Sequence, residues 1–431
     1  MNYLAHLIRS KGFAHLGQRA LAIGRRYGMS PGRIVQAFER LVGTLEQYGC
    51  RATFPTTAVA LARNPAPIRQ LQEQGMELAV HGLTHVNLGR YSVEQQAEYL
   101  SRALDIFDQH GISAEGFRSP YLQRGDAIRE TVEAAGFRYL SNEPILWDGI
   151  GGAGWSRESV RAYQQAVDFY VPLSSAEHPS LPTVRGRMIE IPVSLPDDEM
   201  LVERLRANGA QIAQIWTQIL HQTYARSELF TVQLHPERAM ICAPALSHVL
   251  SEARSCNPPV WIACLGEIAD WWERLQAVRV AVTYEDHDRY VIAVRGPAQA
   301  SVLVRSAQVI GESETWGDGY QLVRSRHFAV QCSSRPVVGV STRTSEAVIA
   351  FLEGQGYVLE IGEKCNRYAA YLDRPRFIEE DGRLLLQEIE ISRSPLIRVS
   401  RWPGNARSAL AITGDIDALT LWDYGLRSVG K

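Results

Sequence analysis

Four short polar clusters carry side chains able to do chemistry together. In His81-Gly-Leu-Thr-His85 two imidazoles stand four residues apart, so on one helical turn both rings can face the same ion. Two histidines with one carboxylate and open positions make a catalytic rather than a structural site for Zn²⁺ or a similar divalent ion. Gly414-Asp415-Ile416-Asp417 offers that carboxylate and a second one. In a turning loop both can approach one site, one to coordinate and one to accept a proton from water. Phe117-Arg118-Ser119-Pro120-Tyr121 puts a guanidinium, which cannot lose its proton, beside a proline-fixed bend. Such a group suits holding a carboxylate in its charged form. His235, in Gln233-Leu234-His235-Pro236, has the chemistry of a proton donor to a departing amine.

Taken singly, each cluster has a plain structural reading: a surface histidine pair, a solvated turn, a surface arginine, a strand-end histidine. Their common position tells more. Each follows directly on a short apolar run, at residues 76–80, 115–117, 229–234 and 409–413. In a parallel barrel the active site is built at the C-terminal ends of the strands.

The elements that must position them alternate from about residue 30 to 275. Ser30-Pro31 is a helix start, and Ile34, Phe38, Leu41 and Leu45 recur at helical spacing up to Gly49. A strand at 52–54 and a helix at 67–74, closed by Gly75, precede the strand at 76–80. Ser92 and Gln95 form a capping-box pair opening a helix to about residue 107. Further strands are expected at 115–117, 138–140, 189–193, 229–234 and 260–262, the last leading into a helix that ends near Trp271-Trp272. This alternation predicts an α/β fold with a parallel sheet, and its length suits a (β/α) barrel over 30–276. Residues 277–343 read as a β-rich accessory domain. Residues 344–400 read as a small α+β segment, with a helix at 345–353 and strands at 357–361 and 368–372. Residues 401–431 hold one apolar strand and the two carboxylates, and residues 1–29 read as an N-terminal helical extension.

The length of 431 residues suggests two or three domains, and 45% hydrophobic with 21% charged residues is a globular balance. A net charge of −2, with scattered arginines, gives no reason to expect nucleic acid or a membrane surface as partner. No stretch is apolar enough to span a bilayer. The six cysteines, Cys50, Cys242, Cys256, Cys264, Cys332 and Cys365, follow no metal-ligand spacing and are expected as free thiols. The amino-terminal stretch lacks the apolar core of a signal peptide, so a cytoplasmic location is expected.

Together the clusters resemble the polysaccharide deacetylase family, carbohydrate esterase family 4. His81-x-x-x-His85 matches its second motif, Arg118-Ser-Pro-Tyr its third, Leu234-His235 its fifth, and Gly414-Asp415-Ile416-Asp417 its first. The resemblance implies a distorted (β/α)7 barrel and one divalent ion, Zn²⁺ foremost with Co, Ni, Mn or Fe as alternatives. It implies Asp417, His81 and His85 as ligands, Asp415 as general base, Arg118 as its orienting partner and His235 as general acid. It places Pro120, Tyr121 and Leu234 at the substrate. The implied activity is hydrolysis of an amide, N-deacetylation or N-deformylation of an amino-sugar-containing substrate, small or oligosaccharide.

The sequence departs from the family in two places. The first motif normally opens the domain, but here it closes the chain. That order implies a circular permutation, or a C-terminal strand completing a neighbouring subunit of a homo-oligomer. The family also sets an Asp early in the loop after its fourth-motif strand, where this chain has Ser141, Asn142 and Glu143. The segment Glu190-Ile-Pro-Val-Ser-Leu-Pro-Asp-Asp198 resembles a branch containing intracellular peptidoglycan-type deacetylases and ring-opening amidases, implying substrate contacts for Asp197 and Asp198. Two rival readings follow: a ring-opening amidohydrolase acting on a cyclic ureide or imide, and a non-catalytic carbohydrate- or partner-binding protein on a decayed barrel.

Overall fold

The computed structural model describes residues 23–24, 26–151, 154–363 and 368–427. The expected N-terminal extension lies outside these residues up to position 22, as does Cys365. The architecture is mixed α/β. One nine-stranded sheet contains Thr53–Thr56 (β1), Glu77–Val80 (β2), Gly116–Phe117 (β3), Tyr139–Leu140 (β4), Thr183–Arg185 (β7), Met188–Glu190 (β8), Leu229–Leu234 (β10), Val260–Ile262 (β11) and Ser408–Gly414 (β23). Pro144–Leu146 (β5), Leu173–Ser174 (β6) and Val193–Leu195 (β9) form a smaller parallel sheet in the order β6-β5-β9.

Seven strands run parallel in the order β10-β23-β1-β2-β3-β4-β8. The sheet curls without closing its ladder. Instead β9 lies against β10, with the Thr231 amide donating to Ser194 Oγ at 3.3 Å. The single strand expected at 189–193 is thus two, β8 and β9. Pro192 separates them, because proline has no N–H to offer a ladder.

The C-terminal strand is an interior one. β23 pairs with β10 through Leu229↔Ala409 to Leu234↔Gly414 and touches β1 at Thr53↔Thr413. Its alternation explains the fit. Leu410 and Ile412 join the large apolar cluster shared with helices such as Gly32–Gln47, while Ala409 and Ala411 face the inner cluster of Tyr139, Ile189 and Leu229. Gly414 has no side chain because Phe54 fills that space, an added Cβ lying 2.6 Å from its ring.

Local signals account for the helices. Ser92 and Gln95 form the reciprocal capping box at the start of Val93–Gln109. The first helix begins one residue later than Ser30-Pro31 suggests, at Gly32, with Pro31 in the cap position. Asn208 and Gln211 box the start of Gly209–Arg226. No helix among the described residues is long and apolar enough to cross a membrane.

The region after residue 277 holds three sheets. Arg279–Tyr284 (β12), Arg289–Arg295 (β13), Gln308–Ile310 (β15) and His327–Gln331 (β18) form an antiparallel sheet in the order β12-β13-β18-β15. Val302–Arg305 (β14), Glu314–Gly317 (β16), Tyr320–Val323 (β17) and Leu396–Val399 (β22) form a second, in the order β16-β17-β14-β22. Arg335–Val340 (β19), Leu359–Ile361 (β20) and Tyr368–Leu372 (β21) make a parallel sheet. The boundary expected at 343/344 is therefore crossed in both directions. β19, before it, pairs with later strands, and β22, after it, pairs back to β14.

The segment leading from this region into β23 clamps the barrel. Arg407 Nε donates to Tyr224 O at 3.0 Å, Arg401 Nη1 to Arg226 O at 3.1 Å and Trp402 Nε1 to Ser227 O at 3.0 Å. These carbonyls belong to the last turn of helix Gly209–Arg226 and its cap, where backbone donors run short, the Tyr224 carbonyl accepting also from the Ser227 amide at 3.2 Å. Two arginines there also complement the negative end of the helix.

Candidate active site

The site arises from strand parity. Along β2 the inward positions are Glu77, Ala79 and then His81; along β3, Gly116 and then Arg118; along β10, Leu229, Thr231, Gln233 and then His235; along β23, Ala409, Ala411, Thr413 and then Asp415. Side chains two apart share a face of a strand, so each ladder delivers a polar residue to the same end of the curled sheet. Gly116 is part of this arrangement, since the Tyr139 ring would lie 1.8 Å from a Cβ there.

His81, His85 and Asp417 come together with ligand atoms all within 4.8 Å of one another. Asp417 Oδ1 is 3.4 Å from His81 Nε2 and 3.5 Å from His85 Nε2, and all three side chains are buried. His81 Nδ1 lies 2.8 Å from the Arg118 carbonyl. A carbonyl only accepts, so Nδ1 carries the proton and Nε2 presents its lone pair toward the other two ligands. Two imidazole nitrogens and one carboxylate, facing one point in a buried setting, are the donor set of a divalent ion with open positions, and they fit one.

Two expectations about the backbone change. His81 to His85 is a bent loop, not a helical turn. Gly82 sits at φ +83°, and the Gly82 and Leu83 carbonyls accept from Ala58 and Val59, the first N–H groups of helix Ala58–Arg63. Nor does the Asp415–Asp417 segment need a turn. Ile416 continues as a parallel bridge to Thr56, its side chain buried in the large cluster, so Asp415 and Asp417 fall on one face. The Ile416 amide donates to Pro55 O at 2.7 Å, and Thr57 Oγ1 donates to Asp417 O at 3.3 Å.

Asp415 is held at both oxygens. Arg118 Nη1 donates to Oδ1 at 2.9 Å and Gln233 Nε2 donates to Oδ2 at 2.8 Å. Arg118, fully buried, also donates to Thr413 Oγ1, Ser141 Oγ and Ser141 O at 2.7, 2.7 and 3.1 Å. Ser141, at the start of the fourth strand's loop, thus supplies neutral acceptors, and Asp415 is the one carboxylate paired with Arg118 among the described residues. Asn142 Oδ1 accepts from the Ser119 amide at 2.7 Å, fixing the loop that carries Pro120 and Tyr121.

His235 is held by Asp198. Its amide donates to Asp198 Oδ2 at 2.7 Å, and its Nδ1 lies 2.6 Å from Asp198 Oδ1. Burial disfavours the imidazolium, but the Asp198 charge and hydrogen bond outweigh it and raise the His235 pKa to about 10. Burial likewise works to raise Asp198, while His235 and Arg238, 3.7 Å away, bring it below the usual carboxylate range. Asp197 is its opposite. Burial and the adjacent Asp198 charge push it up to about 7, and its Oδ1 caps the Met200 amide at 2.8 Å.

Every residue singled out from the sequence lies at this end of the sheet or beside it. Tyr121 packs edge-on against His85, 4.5 Å between ring centroids. Pro120 and Leu234 are buried, and the Leu234 carbonyl accepts from the Asp415 amide at 2.9 Å. Asp198, for which a substrate contact is expected, bonds the amide and Nδ1 of His235. Gln233 and Thr413 join the site from outside the four polar clusters, and Ser141 joins it from the loop where the family sets an Asp. Strand parity carried the signal for Gln233 and Thr413, each two residues before a polar cluster. Cys50, Cys242, Cys256, Cys264 and Cys332 are free thiols.

Residues 28–140 match the polysaccharide deacetylase family model. Among solved structures the chain is similar to a putative polysaccharide deacetylase from Mycobacterium smegmatis, at 20% identity and a TM-score of 0.44, covering 58% of this chain and 81% of that one. It is similar also to a probable polysaccharide deacetylase from Pseudomonas aeruginosa PAO1, at 21% identity and a TM-score of 0.43, covering 55% and 73%. A Puue allantoinase matches at 18% identity and a TM-score of 0.43, covering 55% and 72%. The family match thus covers the segment that carries His81, His85 and Arg118, and leaves His235, Asp415 and Asp417 outside it.

Proposed function

We propose that the protein is a metal-dependent amide hydrolase that removes an acetyl or formyl group from the nitrogen of an amino-sugar-containing substrate. The observation that carries this reading is the separation of duties at one end of the sheet. Three ligand-type side chains converge within 4.8 Å, while a further carboxylate, Asp415, is engaged by Arg118 and Gln233. His81, His85 and Asp417 would hold the ion, Zn²⁺ foremost. When bound, a divalent ion supplies Lewis-acid polarisation of the scissile carbonyl and lowers the pKa of water.

The chain's own residues do the rest. Asp415, paired with Arg118, accepts the proton of the attacking water. Gln233 fixes the second oxygen, so the carboxylate cannot rotate away from that task. His235, protonated through its pairing with Asp198, gives a proton to the departing nitrogen, without which the amine is a poor leaving group.

In this reading β23 takes the place of the strand that opens the family's domain, a circular permutation. Its support is that Asp417 meets His81 and His85 of its own chain, so no neighbouring subunit is needed. The test is release of acetate or formate from N-acetyl and N-formyl amino sugars, run beside ring opening of cyclic imides. Acyl release with metal present and none after chelation supports the proposal. Ring opening alone would replace it with the amidohydrolase reading, and neither activity in metal-loaded protein would favour a binding protein.

A further inference from the structure

The loop that carries both histidines is built around one hydroxyl. Tyr99 lies on helix Val93–Gln109 beside the buried Gln96 and Leu100, and its oxygen meets Thr84, the residue before His85. The Thr84 amide donates to that oxygen at 2.6 Å, the Thr84 hydroxyl lies 3.1 Å from it, and the Tyr99 hydroxyl donates to the Thr84 carbonyl. A phenol has one proton to give and two lone pairs to accept with, so all three are spent on a single residue. Thr84 is buried, and its N–H has Tyr99 as its one partner among the described residues. Left unpaired there, that N–H would bear its full desolvation cost.

The backbone leaves room for the phenol. A Cβ on Gly82 would lie 3.2 Å from the Tyr99 oxygen and 3.3 Å from its ring, and Gly82 turns at φ +83°. The first part of the loop is fixed from other elements. The His81 amide donates to Thr56 O at 2.9 Å, and the Gly82 and Leu83 carbonyls accept from Ala58 and Val59 at 2.9 and 3.0 Å. At Thr84 this anchoring passes to Tyr99, while the Thr84 carbonyl accepts also from the Val86 amide at 2.9 Å. One turn earlier on the same helix, Gln96 Nε2 donates to Leu88 O at 3.3 Å and Tyr91 O at 3.1 Å, holding the chain that follows the loop.

We propose that Tyr99 is a positioning residue of the metal site: by taking up the polar groups of Thr84 it sets His85 against His81 and Asp417 before an ion arrives. It acts through Thr84, whose backbone leads directly into His85. Ligands held in place by the groups behind them bind an ion without first having to be ordered. This role rests on the metal-site reading above and adds to it a residue that no polar cluster of the sequence contains.

The experiment titrates metal-free protein with Zn²⁺ against a competing chelator of known affinity. Tyr99→Phe keeps the ring and removes the hydroxyl. Its Zn²⁺ affinity is expected to fall by about tenfold or more, the scale of losing a group behind a metal ligand. Gln96→Met removes two bonds from the same helix face and is the comparison. It should lower the melting temperature, as Tyr99→Phe does, yet bind Zn²⁺ like wild type. Unchanged affinity in Tyr99→Phe would overturn the proposal. So would an equal loss in Gln96→Met, because any weakening of this helix face would then suffice. Hydrogen exchange in metal-free wild type tests the same role without a variant: the Thr84 amide is expected to be protected, and exchange at the rate of an unbonded amide would overturn it. Wild type that binds no Zn²⁺ would overturn the metal reading and this role together, whereas equal Zn²⁺ binding by wild type and Tyr99→Phe would remove the role alone.

Discussion

Arg118 Nη1 and Asp415 Oδ1 meet at 2.9 Å across 297 residues of sequence, both side chains buried. The same guanidinium reaches Thr413 and Ser141, so one side chain ties β3, β4 and β23 together at the point where the chemistry is proposed. Breaking a buried pair from one side leaves the other charge uncompensated, at a cost of about 3–5 kcal/mol. Arg118→Met is expected to lower stability by that amount in urea unfolding. A loss below about 1 kcal/mol would mean that the pair is not desolvated as described.

Asp415→Asn keeps the shape and one acceptor but removes the base. Turnover is expected to fall by about 10²–10⁴ while metal content and fold persist. Acyl release at the wild-type rate would show that another group takes the proton.

The His235–Asp198 pair predicts a pH dependence with a definite sign. The folded pKa of His235, about 10, lies above the ordinary value of about 6.5. The stabilisation from this pair is therefore fully present below about pH 6.5 and is lost as pH rises through about 10. As a proton donor His235 should stay active up to the same limit. In Asp198→Asn the main attraction is gone while burial and the Arg238 charge still disfavour the imidazolium, so the basic limb of kcat should move to lower pH, with activity at pH 8 down by at least about tenfold. An unmoved limb would show that it belongs to another group.

Trp402 predicts an effect at a distance. It is fully buried, packs 5.6 Å from Trp272, and bonds the Ser227 carbonyl just before the chain enters β23. Trp402→Ala is expected to cost about 3–5 kcal/mol and to loosen the strand that carries both carboxylates. Thermal melting and metal titration should both register it. A lower melting point with unchanged metal affinity would show that β23 is held by its ladder alone.

Much of the site was legible because its residues follow short apolar strands of even parity. Asp415, His81, Arg118 and His235 could be placed at strand ends from that pattern alone. Their local backbone was not. Gly82 turns away from a helix because its own carbonyl and that of Leu83 serve a different helix, a long-range demand invisible in five residues. Asp198 was noticed as one of a pair of acids, but its bond to His235, 37 residues away, follows from β9 lying against β10. The split at Pro192 was readable from the missing N–H. The exchange of β19 and β22 across residue 343 was not, because strand pairing there depends on which sheet each edge finds.

The central claim is that the C-terminal carboxylate and the two histidines form one metal site. Elemental analysis of purified wild type beside Asp417→Ala tests it most directly. The account predicts about one divalent ion per chain in wild type and a marked loss in the variant, because a catalytic site with three protein ligands cannot spare one. Equal metal in both proteins, or none in either, would contradict it.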